Sequence, residues 1–415
     1  MTPDLLANAE VVIVGGGYGG LVAARNLARA GRGEGVLVID RRGRAGYPHQ
    51  STSGLAERWI RKYDLPVSSE AVAAPIERMR MYGPSGISRV VEPPPDSGGG
   101  RMGAVLQEDN LLQKVEDEAV RGGVVVWHSA SGERIRRIST GGFHLMVRHE
   151  GIDKSVVAFK NVLLFEGYQA KLAQQLGMST GLRPDQFYRG YEQTVEPTDQ
   201  PRGEVRMWLP DPAETVPRAA YHWDFPASFV GKPARRVGNA SARSDAHTAS
   251  WYFDRWWKVH GSEYGTRVLS RCGGIIPTAP PARRLYDHGA FLGGDAAALC
   301  CSITGGGILG ALESGVQAAA AIVGGDPKSY PARVRWLTKE LRLRYALKML
   351  VTRLSYDELD TLVEMMGEFP VARGSDLDPI RQRKAFSRWA VRTHPRLFST
   401  LLTRGRFWEA VGPFL

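Results

Sequence analysis

Cysteine is scarce: Cys272, Cys300 and Cys301 are the whole complement of a 415-residue chain. Three thiols, two of them adjacent, make no disulfide framework and point to a reducing compartment. The opening MTPDLLANAE has neither a basic start nor an apolar core, so no secretory leader is expected. Long apolar runs are missing too. The most apolar stretch, 291–323, carries Asp295 and Glu313 and is broken by glycines, so it reads as a buried segment rather than a membrane span. No metal-ligand spacing, nucleic-acid module or internal repeat is present. These absences argue against a secreted scaffold, a helical membrane protein and a zinc module. What remains is an ordinary globular composition, 43% apolar, long enough for two or three structural units.

Glycine, by contrast, is concentrated in two segments about 280 residues apart: VVIVGGGYGG, from Val11, and FLGGDAAALCCSITGGGILGALESG, from Phe291. Val11–Val14 is all apolar, as a parallel strand buried on both faces must be. Gly15, Gly17 and Gly20 fit G-x-G-x-x-G. The first glycine permits a tight turn, the second a close approach of backbone to a pyrophosphate, the third close helix–strand packing. The spacing predicts a helix from about residue 19 to 30 whose N-terminal amides hold phosphate. A second strand, 36–39, ends at Asp40, 20 residues after Gly20, where a carboxylate meets ribose hydroxyls. Arg41 and Arg42 follow, read as solvated or pyrophosphate-side charges. The pair of segments points to FAD laid across one domain. No second G-x-G-x-x-G follows a strand, so the reductant is expected to be external.

The rest of the chain has three textures. Helix 110–122 leads into strand 124–127, and 162–165 is another buried strand. Between 169 and 285 lie short runs, many prolines and the aromatics Tyr188, Tyr191, Trp208, Tyr221, Trp223, Phe225, Trp251, Trp256 and Trp257. These suggest an antiparallel sheet walling an apolar cavity. After Pro331 the pattern is helical, with Val334, Leu337, Leu341, Tyr345 and Met349 on one stripe and Arg335, Lys339, Arg342 and Lys348 elsewhere. The expected fold class is α/β: a Rossmann-type FAD-binding domain, aromatic-hydroxylase-like, with an inserted antiparallel-sheet substrate domain and a helical C-terminal region. The boundaries are 1–75, 100–168 and 286–325 for the FAD-binding domain, 76–99 and 169–285 for the substrate sheet, and 326–415 for the basic helical region.

Net charge is +11, and residues 327–415 hold 17 Lys/Arg against 9 Asp/Glu. Solvated helix faces are the plainest account. An anionic membrane surface or a phosphorylated substrate is the functional one, and nucleic acid ranks last.

Three segments resemble the geranylgeranyl reductase family, FAD-dependent relatives of the aromatic hydroxylases that saturate isoprenoid double bonds. GGDAAALCCSITGGGILGALESGVQAAAAI is similar to the family's GDAAG…P-T-GGGI…SG…AA segment. CGGIIPTAPPARRLYDHGAFLGGDAA resembles its GGIIP approach, and YHWDFP, Tyr221–Pro226, matches its Y-x-W-x-F-P. The likeness runs from about residue 8 to 325. It departs where Ser302 replaces a proline, Ala298 a glycine, Ser51 the cysteine many members carry near the flavin, and Gln107 an arginine.

The resemblance implies that Asp295 binds the ribityl hydroxyls and that the amides of Gly306, Gly307 and Ile308 face N1 and O2 of the flavin. Gly15, Gly17, Tyr18, Gly20, Asp40, Arg41, Gln107, Val126 and Gly294 complete the expected cofactor contacts. Tyr221, Trp223 and Phe225 suit a dry slot that aligns an alkene, although core aromatics of a sheet would look the same. His49 and Ser51 are candidates to relay a proton; a satisfied surface loop is the plainer reading. Cys300 and Cys301 are a redox pair or, more commonly, unreactive buried thiols.

The implied partners are a long-chain isoprenoid lipid and an electron donor, a reduced ferredoxin-like protein or transient NAD(P)H. The implied location is cytoplasmic or peripheral at the inner face of the cell membrane. Two other function classes stay open: a flavin monooxygenase or hydroxylase, and a flavin-bearing lipid-binding protein. The halogenase pattern W-x-W-x-I-P is not met, since Tyr221 and Phe225 replace its first Trp and its Ile.

Overall fold

The computed structural model describes residues 8–368 apart from residues 50, 92–100, 140, 180, 210–220, 243–246 and 353, together with residues 392, 393 and 395. Its first layer is a sheet with five parallel strands in the order Ala290–Leu292, Ile152–Leu164, Asn8–Val14, Val36–Ile39 and Val125–Trp127. Tyr286–Asp287 adds an antiparallel edge, and Ala130–Arg137 and Phe143–His149 form an antiparallel extension from Ile152–Leu164. The apolar runs seen in sequence are the central strands: Val12, Ile13, Val38, Val162 and Leu163 are completely buried. Ligands of such sheets bind beyond the carboxyl ends of the strands, where the order reverses. Here the glycine loop after Asn8–Val14 lies at that end.

The helix that follows, Tyr18–Arg29, packs on one side against helix Glu108–Arg121 and on the other against Ile308–Val323. The second crossing is backbone to backbone. A Cβ on Gly315 would sit 2.3 Å from the carbonyl oxygen of Gly19, and one on Gly19 would sit 2.9 Å from that of Ala311. Small residues therefore bring the two glycine-rich segments together at one end of the sheet.

A second sheet has seven strands in the order Val268–Pro277, Phe187–Val195, Lys232–Ala242, Tyr221–Phe229, Glu204–Trp208, Arg78–Tyr82 and Ser88–Val91. It is antiparallel except between Glu204–Trp208 and Arg78–Tyr82, which run parallel because the latter arrives from a distant part of the chain. A small sheet of Gly54–Ala56, Gly103–Leu106 and Val72–Ile76 stands beside it.

The aromatics of this region divide between the two faces, as side chains of period two must. Trp208, Phe253, Trp256 and Tyr264 form one buried cluster, with Tyr191 and Trp257 against it. Residues 249–260 are a helix, not a strand, started by Thr248, whose Oγ1 accepts a hydrogen bond from Trp251 N at 3.2 Å. The expectation that all these aromatics wall one cavity is thus corrected. Tyr188, Tyr221 and Trp223 cluster on the other face with Phe225 beside them.

Helix Arg335–Val351 buries Leu337 and Leu341 as expected, Val334 is buried just before it, and Tyr345 and Met349 are half-buried. Lys348 departs from the expectation of an outward charge. It is 8% exposed, its Nζ lies 4.4 Å over the Tyr188 ring, and it donates to Thr278 Oγ1 at 3.0 Å. Helix Tyr356–Glu368 follows. Most of the basic excess of the tail, and the helical reading of it beyond Glu368, lie outside the described residues. Among the described residues no helix is long and apolar enough to cross a membrane.

Candidate functional site

The early loop is built by exclusion. Gly15 has φ +111°, and a Cβ on it would lie 2.1 Å from the Phe165 carbonyl oxygen. A Cβ on Gly20 would lie 1.9 Å from the Gly15 carbonyl oxygen. Gly16, which the motif leaves free, must be glycine as well: its Cβ would sit 2.4 Å from Asp40 Oδ2. Gly17 differs, since the nearest atom to its Cβ would be Arg42 Nη2 at 3.9 Å. Gly17 caps helix Tyr18–Arg29, which has no side-chain cap and no acidic residue in its first turn. Its first turn thus carries no side-chain partner, and with the helix dipole this suits an anion.

Asp40 is 4% exposed and is held by Arg42, whose Nη2 donates to its Oδ2 at 2.9 Å and to the Gly16 carbonyl at 2.7 Å. Arg42 therefore braces the loop, whereas Arg41 is exposed and touches none of it. Val126 is half-buried on the strand next to Val36–Ile39, and Gln107 caps helix Glu108–Arg121.

Beside the loop lies a buried polar cluster that sequence reading missed. Glu108 is 7% exposed, accepts from Ser53 Oγ at 3.3 Å, and has Arg42 Nη1 at 4.0 Å and His49 Nδ1 at 3.5 Å. Burial, only partly offset by Arg42, pushes its pKa up to about 7. Burial and the Arg236 charge push His49 down to about 3. His49 is thus held in its neutral form, and Glu108 stands beside it as a second titratable group. Tyr18 is buried next to this cluster, and its hydroxyl is held protonated by burial and by Glu108. Ser51 Oγ accepts from Ser53 N at 3.1 Å.

The late segment repeats the open helix start. Gly307 caps Ile308–Val323 with no side-chain cap and no acid in the first turn, and a Cβ on Gly306 would meet only Thr304 Oγ1, at 3.4 Å. Asp295 borders this turn: a Cβ on Gly307 would sit 2.9 Å from its Oδ1. Burial pushes the Asp295 carboxyl up to about 6. Gly294 is buried at φ +54°, its amide donating to Ser314 Oγ at 3.0 Å. Of the adjacent thiols, burial holds Cys300 protonated. Burial raises the Cys301 pKa too, but Arg344, with Nη1 3.3 Å from its sulfur, and hydrogen bonds from Thr304 together outweigh it and lower the pKa.

The second sheet closes over both loops. Tyr221 donates its hydroxyl to the Thr304 carbonyl, Phe225 is 3.0 Å from where a Cβ on Gly54 would stand, and Arg236 donates to the Thr52 carbonyl at 2.9 Å. Glu192, a further residue missed in sequence, is 4% exposed and joins loop to wall. It accepts from Thr52 Oγ1, from Trp223 Nε1 at 2.9 Å and from Cys272 Sγ at 3.6 Å.

The structure therefore brings Tyr221, Trp223, Phe225, Ser51 and His49 to the same side as Gly15, Gly17, Tyr18, Gly20 and Asp40. Gly294, Asp295, Gly306, Gly307 and Ile308 belong to the same side through the Gly19–Gly315 crossing and the Tyr221–Thr304 bond. Gln107 lies at the base of the polar cluster, next to Glu108, and Val126 lies at the outer edge strand. A dinucleotide fits this arrangement: two helix starts without side-chain caps and the buried Asp40, with glycines where a Cβ would fill the approach.

Residues 13–60 match the family described as NAD(P)-binding Rossmann-like domain. The chain is 28% identical over 389 residues to a digeranylgeranylglycerophospholipid reductase of Thermoplasma acidophilum, covering 86% of this chain and 91% of that protein. A protein of the same name from Methanoculleus marisnigri is 26% identical over 391 residues, with 90% and 94% covered. Among solved structures, a geranylgeranyl bacteriochlorophyll reductase-like protein of Thermoplasma acidophilum superposes with TM-score 0.81 at 22% identity, covering 98% of this chain and 99% of its own. The flavin-dependent halogenase CmlS gives TM-score 0.65 at 16% identity, with 94% and 79% covered. The resemblance and the fold class read from the sequence are borne out, and the expected FAD agrees with the flavin-dependent enzymes among these neighbours.

Proposed function

We propose that this chain is an FAD-dependent oxidoreductase that saturates carbon–carbon double bonds in the prenyl chains of isoprenoid lipids. The observation that carries the reading is the closure of the Tyr221, Trp223 and Phe225 face onto both glycine loops. An apolar wall beside the late glycine turn suits the reactive ring of a bound flavin. The similar proteins named digeranylgeranylglycerophospholipid reductases support the substrate class.

FAD, once bound, supplies the hydride. Gly17 and the first turn of Tyr18–Arg29, in the loop that Gly15 and Gly20 allow, would hold the pyrophosphate, Asp40 the ribose, and Asp295 with the Gly306–Ile308 turn the ribityl chain and ring. The N-terminus of Ile308–Val323 would favour negative charge on that ring. Tyr221 spends its proton on the Thr304 carbonyl, so its part is to orient the late turn. Trp223, with its N–H held by Glu192, and Phe225 exclude water from the alkene. Glu108, through Ser53, is the group able to exchange a proton near neutrality. The domain division at 75/100, 168/286 and 325, the external electron donor and the contact with an anionic membrane surface are part of the same proposal.

The test is anaerobic. Reduced enzyme mixed with prenyl lipid should reoxidise with loss of a double bond in the lipid. Rapid oxygen use with substrate and no saturated product would favour the hydroxylase instead, and neither result would leave a lipid-binding flavoprotein.

A further inference from the structure

Helix Arg335–Val351 turns two cations inward, Arg344 and Lys348, four residues apart and so on one face. Lys348 goes to Thr278 and the Tyr188 ring. Arg344 goes to the late glycine turn. Its Nη1 lies 3.3 Å from Cys301 Sγ, and its Nε donates at 2.9 Å to Glu340 Oε1, one turn earlier on the same helix. A region whose composition suggests only a basic surface thus reaches the segment assigned to the flavin ring.

Cys301 stands directly behind that turn. Its N–H donates to the Gly306 carbonyl at 3.0 Å, and its own carbonyl accepts from Gly305 N at 2.8 Å. Its side chain is buried. A neutral thiol is a poor acceptor for a guanidinium, and the helix already docks through Leu337 and Leu341. A buried sulfur facing Arg is the setting in which a thiolate forms. Thr304 adds hydrogen bonds to the same sulfur. The neighbouring groups differ. Burial holds Tyr221 and Cys300 protonated, and it pushes Asp295, beside Cys300, up to about 6. Burial also pushes Cys272 up to about 12, so of the three thiols only Cys301 is shifted downward.

We propose that Arg344, acting through Cys301, is a positioning residue that tunes the electron affinity of FAD bound at the late turn. The proposal rests on the assignment of Gly306, Gly307 and Ile308 to the flavin ring. Reduction adds negative charge to that ring, which a nearby cation favours and a nearby anion opposes. Burial limits screening, so a charge one hydrogen bond behind the turn is felt across it. Arg344 and Cys301 therefore act with opposite signs. Glu340 and the partial exposure of the Arg344 side chain, 35%, moderate the effect without reversing it.

Two measurements test this. In the apoprotein, thiolate absorbance in the ultraviolet is followed against pH. One thiol should ionise below the usual value of about 9. Cys301→Ser should abolish that ionisation, and Arg344→Gln should move it upward. In the holoprotein, the midpoint potential of FAD is measured above the pH of that ionisation. Arg344→Gln should weaken reduced relative to oxidised FAD by about three- to tenfold, which for a two-electron couple is a fall of roughly 15–30 mV. Arg344→Lys, which keeps the charge, should stay within about twofold of the wild type. Cys301→Ser should raise the potential while oxidised FAD binds as before. FAD content and melting temperature check folding, and Cys301→Ser with Arg344→Lys carry the test if Arg344→Gln does not fold.

A pair that merely braced the turn would shift the potential the same way in Arg344→Gln and Cys301→Ser. That result, or the absence of a thiol ionising below pH 9, or one indifferent to Arg344, overturns the proposal. If the wild type takes up no FAD, the flavin assignment fails and the tuning falls with it. If the potentials shift as stated yet prenyl lipid never reoxidises the protein, the isoprenoid reading fails and the tuning stands.

Discussion

Gly17 offers a way to separate cofactor binding from folding. Its backbone, at φ −84° and ψ −169°, is one that valine adopts readily. A Cβ there would meet nothing nearer than Arg42 Nη2 at 3.9 Å. In the cofactor-free protein, Gly17→Val should therefore be almost silent. The lost flexibility of the unfolded chain stabilises by about 0.4–1 kcal/mol, and a poorer helix cap takes back a similar amount. With FAD the outcome changes. The valine methyl groups project into the space at the helix start where phosphate must approach, and at least one charge-assisted amide bond is lost. That is about 1.5–3 kcal/mol, or ten- to hundredfold in affinity. Gly15→Ala is the contrast: its Cβ would lie 2.1 Å from the Phe165 carbonyl oxygen at a φ of +111°, so folding and binding should fail together. Thermal unfolding of the apoprotein by circular dichroism, followed by titration with FAD, measures both quantities. A Gly17→Val protein that binds FAD as tightly as the wild type would refute the assignment of this loop to the pyrophosphate.

Asp295→Ala should weaken FAD binding by about 1.5–3 kcal/mol through loss of a charged hydrogen bond. Cys301→Ser should leave binding nearly unchanged, so equal FAD affinities in the two variants would count against the ribityl role. Glu108 has a folded pKa of about 7, above its ordinary value of 4.5, because it is buried. The stability it lends is complete below about pH 4.5 and is lost as pH rises through about 7, a change of about 3 kcal/mol. The melting temperature of Glu108→Gln relative to wild type should accordingly climb between pH 5 and pH 8, and a constant difference would be the contrary result. Acid precipitation should release a yellow supernatant with the spectrum of free FAD, whereas colour kept in the pellet would mean a covalent link. If the basic tail meets an anionic surface, co-sedimentation with anionic vesicles should fall steeply with salt, each basic residue there being worth about 1 kcal/mol; binding indifferent to salt and to Arg→Gln changes in the tail would make it structural.

What could be read from the chain was what local sterics and periodicity determine. The strands at 11–14 and 36–39, the tight turn at Gly15 and the open start at Gly307 follow from residue types within a few positions of one another. What could not be read was where a neighbour comes from far along the chain. Arg41 and Arg42 look alike in sequence, yet only Arg42 turns back to Asp40 and Gly16. His49 shows its type in sequence but not its setting: burial and Arg236, 187 positions away, lower its pKa, while burial raises that of Glu108 beside it. Trp208 and Trp223 belong to the same sheet and opposite faces, and only the registry of the strands tells which of them the flavin side receives.

Glu192 shows the same limit most sharply. Its three donors, Thr52, Trp223 and Cys272, come from three separate parts of the chain, so no spacing rule marks it.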